Sequence, residues 1–224
     1  MTSLLLPRNE KLMWVKICGT TNVEDALAAV DAGADALGFV FAESPRRVEP
    51  VVAAQITRSV PEGVERVGVF VNESAETIRQ IVEEAGLTVV QLHGDEGTEF
   101  ARGIASGGLK VFKAIPVRGG FATRMIAFAE KGGVDAMLLD SATALRGGAG
   151  TNFDWRAVAR YMPVHGGEIR VIVAGGLTPL NVSHAIRILR PWGVDVATGV
   201  EREPGKKDHE KVREFVKAAK NTDL

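Results

Sequence analysis

The 224-residue chain has a single cysteine. One cysteine excludes an intramolecular disulfide and any cysteine-based zinc site. Long apolar runs are missing too: none approaches the roughly 18 residues that a membrane-spanning helix needs. Charge of one sign is not in excess, with Lys and Arg together 27, Asp and Glu 28, and a net charge of -1. A balanced surface gives no electrostatic case for nucleic acid or an anionic membrane as partner. The short leucine run near the start lacks a basic flank and is too short for a signal peptide. These absences predict a soluble, cytoplasmic protein. No linker or low-complexity segment divides the chain, so residues 1–224 read as one domain. Residues 1–12 show no periodicity and precede Met13, a second possible start, so they read as a dispensable leader.

What is present is one repeating pattern: a short apolar run, a polar or glycine turn, then an amphipathic helix. Candidate strands fall at residues 15–18, 36–41, 66–71, 89–92, 111–115, 136–139, 170–174 and 194–197. Each is nearly continuous in apolar residues, as strands buried on both faces require. Helical stripes lie between and after them: Val23, Ala26, Leu27 and Val30; Ile78, Ile81, Val82 and Ala85; Val212, Phe215, Val216 and Ala219. Thr21 with Glu24 has the spacing of a capping box, and Ser74 and Asp208 are candidate N-caps. Eight such strand–helix units in this length fit a single (β/α)8 TIM barrel, an α/β fold. An open doubly wound sheet is the alternative, weakened by the lack of GxGxxG after the first strand.

In a barrel, the strand C-termini and the loops after them form the active site. Cys18 ends the first strand. The second is followed by Ser44-Pro45-Arg46-Arg47. Gln91 and His93 close the fourth, and Asp140 follows the sixth. A free cysteine is most often a small buried hydrophobe, and a carboxylate after an apolar run either caps the next loop or is used. Together a thiol and a carboxylic acid make an acid–base pair. Arg46 is either a solvated charge or a clamp for a substrate carboxylate. His93 lacks a second ligand at metal spacing in its loop, so no metal is expected. Glycines recur in the last three loops: Gly148 and Gly150, then Gly175 and Gly176, then Gly199 beside Thr198. They serve as tight turns or let backbone N–H groups approach a phosphate closely. The loops after strands 7 and 8 are the usual phosphate seat of this fold.

These residues, taken in order, resemble one known family. Lys16-Ile17-Cys18-Gly19, Gly38-Phe39-Val40-Phe41 with Ser44-Pro45-Arg46, and Val90-Gln91-Leu92-His93-Gly94 are similar to motifs of phosphoribosylanthranilate isomerase. So are Leu138-Leu139-Asp140, Gly147-Gly148-Ala149-Gly150 with Phe153-Asp154-Trp155, Ala174-Gly175-Gly176-Leu177, and Gly199-Val200-Glu201 with Pro204-Gly205-Lys206-Lys207-Asp208-His209. The resemblance spans about residues 15–220. It implies a (β/α)8 barrel catalysing an Amadori rearrangement in tryptophan biosynthesis. N-(5-phosphoribosyl)anthranilate would become 1-(2-carboxyphenylamino)-1-deoxyribulose 5-phosphate. It implies Cys18 as general base, Asp140 as general acid, Arg46 on the anthranilate carboxylate, and the last three loops on the phosphate. Ala197-Thr198 departs from a serine pair common in the family, which favours Gly199 over Thr198 as phosphate donor. The choice of Arg46 over Arg47 rests on Ser-Pro-Arg alone. No cofactor is expected, because the substrate nitrogen supplies the electron sink. The partner is a small phosphorylated substrate, and the chain would act as a monomer or homodimer. A flavin-binding barrel, a non-catalytic phosphosugar-binding barrel and a histidine-pathway isomerase are the rival readings; the last is disfavoured by a thiol where a carboxylate is expected.

Overall fold

A computed structural model describes residues 13–141, 153–162 and 169–223. The expected leader, residues 1–12, lies outside them. Eight parallel strands close into a barrel in sequence order: β1 (Trp14–Cys18), β2 (Ala36–Val40), β3 (Glu65–Phe70), β4 (Val89–Leu92), β5 (Lys110–Val117), β6 (Ala136–Ser141), β7 (Arg170–Val173) and β8 (Gly193–Val196). Pairing of β1 with β8, Lys16 opposite Asp195, makes the closure and rules out the open sheet. Each strand is followed by a helix: α1 (Val23–Asp31), α2 (Pro50–Arg58), α3 (Ala75–Ala85), α4 (Thr98–Ala105), α5 (Phe121–Lys131), α6 (Trp155–Ala159), α7 (Val182–Leu189) and α8 (His209–Lys220). No helix among the described residues is long and apolar enough to cross a membrane.

The strands are apolar on both faces because each face packs a different core. Outward side chains such as Val15, Ile17, Val90, Val111, Met137 and Val194 join the helices in the larger core. Inward side chains, Ala36, Val67, Val89, Phe112, Leu138 and Ile172 among them, fill the barrel. Trp14 stacks on Trp192 with centroids 4.9 Å apart and meets Phe112 edge-on, closing the N-terminal end. Chemistry is thereby confined to the opposite end, where the inward residues turn polar.

Four local expectations change. Asn22, not Thr21, caps α1: its side chain accepts the Asp25 N–H at 2.8 Å, while the Thr21 hydroxyl donates to the Gly205 carbonyl. The α1 stripe is rotated, since Val23 and Leu27 are exposed and Asp25, Ala26 and Ala29 are buried. Asp25 can be buried because it takes hydrogen bonds from Lys207 N, His209 Nε2 and Asn22 Nδ2. Asp140 lies inside β6 rather than after it, because β5 runs on to Val117 and pairs Pro116 with Asp140. Finally, a short turn (Thr198–Val200) leads into a small antiparallel hairpin, β9 (Glu201–Glu203) and β10 (Lys206–Lys207). The strand residues of the hairpin are all charged, and it carries no apolar run by which sequence could reveal it. Ser74 and Asp208 do cap α3 and α8.

Candidate active site

Along β1 alternate residues face inward, so Lys16 and Cys18 share the barrel interior. Gly38 pairs with Cys18 on β2. A side chain there would come within 2.7 Å of the Cys18 sulfur and 3.0 Å of the Lys16 ammonium. Glycine at 38 is thus what makes room for both. Lys16 is fully buried, and its Nζ donates to Asp195 Oδ1 at 2.9 Å. Burial pushes the Cys18 thiol above its ordinary range; Lys16 pulls it back down, though not fully. For Lys16 burial acts to lower the pKa, but Asp195 and Cys18 outweigh it and raise it.

Asp140 stands at the same end of the barrel, on β6. Its Oδ1 accepts the Ser141 N–H at 2.8 Å, and its Oδ2 lies 3.3 Å from His93 Nε2. His93 Nδ1 in turn lies 2.9 Å from Gln91 Nε2. Gln91 and His93, both expected at the site, therefore form a file leading to Asp140. Gly175, at φ +80°, abuts this group: a Cβ would fall 2.7 Å from Asp140 Oδ1 and 2.5 Å from Ser141 N.

Beside Cys18 lies a second polar group. Glu201 accepts Arg46 Nε at 2.8 Å and Arg46 Nη2 at 2.6 Å, a two-pronged ion pair. It also accepts Lys207 Nζ at 2.9 Å, and the same ammonium donates to the Cys18 carbonyl at 2.6 Å. Burial acts to raise the Glu201 carboxyl, but Arg46 and Lys207 hold it below its usual range. Arg46 Nη2 is 3.4 Å from the Thr198 hydroxyl. Arg47 points away, exposed, toward Glu49. Gly19, at φ +75°, lets the Arg46 stem cross the loop after β1: a Cβ would meet it at 2.6 Å.

The loops after β7 and β8 touch. A Cβ on Gly199 would strike the backbone at Leu177. Gly176, at φ +67°, is held by Asn181, whose Nδ2 donates to the Gly176 carbonyl at 3.0 Å and whose Oδ1 accepts the Thr178 N–H at 2.8 Å. Gly175, Gly176, Thr198 and Gly199 are thus brought together with Arg46 and Asp140 at the mouth. Gly148 and Gly150 lie outside the described residues.

The family model of N-(5'phosphoribosyl)anthranilate (PRA) isomerase matches residues 15–218. The chain belongs to this family. It is 49% identical to the N-(5'-phosphoribosyl)anthranilate isomerase of Rubrobacter xylanophilus over 92% of this chain and 98% of the relative. The solved isomerase from Thermotoga maritima superposes with a TM-score of 0.84 at 42% identity, covering 93% of this chain and 99% of the other. A solved isomerase in complex with reduced 1-(o-carboxyphenylamino)-1-deoxyribulose 5-phosphate has a TM-score of 0.80 at 41% identity, covering 93% and 99%.

Sequence reasoning missed Lys16, Asp195 and Gly38 as site residues. A signal was present for two of them. Lys16 and Asp195 interrupt apolar strands just as Asp140 does.

Proposed function

We propose that this member of the PRA isomerase family isomerises N-(5-phosphoribosyl)anthranilate with Cys18 as general base and Asp140 as general acid. The observation that carries the reading is the pairing of the sole thiol with a buried carboxyl group on inward faces at one end of the barrel. Asp140 gives its proton to the ribose ring oxygen as the C1′–O bond breaks. The anthranilate nitrogen lone pair forms an iminium, which acidifies the C2′ proton. Cys18 as thiolate takes that proton, and the C–H electrons return to the iminium as an enamine. Tautomerisation then gives the ketose. The relative crystallised with a reduced form of the product supports the substrate class. Turnover of freshly made phosphoribosylanthranilate by metal-free protein tests the reading, and its absence would end it.

Arg46 is proposed to bind the anthranilate carboxylate. Glu201 fixes the guanidinium through Nε and Nη2, which leaves the Nη1 edge to meet an anion. A charge-assisted contact of this kind is worth about 1.5–3 kcal/mol. Arg46→Ala is therefore expected to lower kcat/KM by about 10- to 200-fold, mostly through KM, and Arg47→Ala to do much less. Steady-state kinetics of both variants would show the wrong choice by the reverse ordering.

The phosphate is proposed to sit between the loops after β7 and β8. Gly199→Ala must push those loops apart, because the added carbon has no space against Leu177. Losing even one backbone contact, worth about 1 kcal/mol, raises KM about fivefold. Unchanged inhibition by inorganic phosphate in that variant would move the seat elsewhere.

A further inference from the structure

The buried Lys16–Asp195 pair is unused by the chemistry as described. Both residues lie in the barrel interior, opposite one another across the β1–β8 seam. A buried ion pair of this kind contributes little net stability, since desolvation offsets the attraction. Its location is what calls for explanation. The Lys16 ammonium pairs with the Asp195 carboxylate at 2.9 Å. Water cannot compete for it, because the side chain is wholly enclosed. Lys16 and Cys18 lie against the same bare patch at Gly38.

We propose that Lys16 is a positioning residue of the reaction: its buried ammonium, held by Asp195, stabilises the Cys18 thiolate from inside the barrel. The proposal rests on the reading of Cys18 as the base. Other charged groups face the cysteine from the remaining elements. Lys207 on β10 bonds the Cys18 carbonyl, and Arg46, from the loop after β2, is neutralised by Glu201. β2 itself offers only Gly38, and Asp140 stands on β6. Of the cations among the described residues, Lys16 is the one whose ammonium shares with the sulfur the space in front of Gly38, 3.0 Å and 2.7 Å from where a Cβ would stand. The sign of each effect then follows. Removing the Lys16 charge destabilises the thiolate and moves the thiol titration upward. Removing the Asp195 charge takes away a nearby anion, leaves the ammonium undivided, and moves it downward.

The single cysteine makes the measurement direct. Thiolate ultraviolet absorbance is followed against pH in the full chain, with Cys18→Ser subtracted to remove the lone tyrosine. Lys16→Met is expected to raise the midpoint by about 1–3 pH units, the usual effect of losing a close opposite charge. Asp195→Asn is expected to lower it. In Lys16→Met, kcat should fall while KM holds. Generic damage to the barrel would shift both midpoints the same way, so opposite signs are the signature of the proposal. Equal or unmoved midpoints would overturn it. Should Lys16→Met not fold, Asp195→Asn decides alone, because a raised or unchanged midpoint there is fatal. Failure of the base assignment would read differently: Cys18→Ser would keep its turnover whatever the titrations give.

Discussion

Cys18→Ser is expected to bind substrate normally and to turn it over about 10²–10⁴-fold more slowly, the usual contribution of a general base. A hydroxyl is nearly the size of a thiol but a far weaker acid, so its anion is not populated at any working pH. The fold has no reason to object. The sulfur lies beside the bare backbone of Gly38, and a smaller oxygen fits the same space. Arg46 and the glycine loops after β7 and β8 are untouched, so KM should hold. The loss therefore belongs to kcat. With proton abstraction made slow, deuterium at C2′ should slow the variant further. Steady-state kinetics with protiated and deuterated substrate checks both statements. A variant with near wild-type kcat, measured where chemistry limits turnover, would make Cys18 a core residue and send the search for a base elsewhere.

Much of this was legible in the sequence because a parallel barrel writes itself as short apolar runs. The runs at residues 89–92 and 136–139 fall within β4 and β6, since strands buried on both faces admit few polar residues. Cys18 and Asp140 stood out at the ends of such runs. Their neighbours did not, because the contacts that define them join distant residues. Lys16 meets Asp195 across 179 positions, and Arg46 meets Glu201 across 155. Closure of the sheet sets the first contact and the charged hairpin after β8 sets the second. Gly38 shows the same limit: only the register that puts it opposite Cys18 explains why it has no side chain. The α1 stripe misled for a complementary reason. Asp25 turns inward to satisfy Lys207 and His209, and that polar demand rotates the helix away from its apolar pattern.

Asp140→Asn is expected to lower kcat by about 10²–10⁴-fold and also to change the shape of the pH profile. The amide keeps the size of the carboxyl group, an acceptor for the Ser141 N–H and a polar neighbour for His93. It cannot release a proton to the ribose ring oxygen. In the wild type two ionisations govern activity. The productive form carries a thiolate at Cys18 and a carboxylic acid at Asp140. Burial raises the Cys18 thiol. The productive form holds one proton between the two groups, and the two limbs of the bell belong to the pair rather than to either residue. Activity rises at low pH as the pair loses its first proton, holds level, and falls as it loses the second. In Asp140→Asn only the thiol still titrates. Residual activity should climb with pH through the thiol midpoint and stay high, with the alkaline fall gone. A profile of kcat/KM against pH decides the matter. If the variant were slow but kept its alkaline limb, the acid would be another group, with His93, 3.3 Å from Asp140 Oδ2, the first to replace.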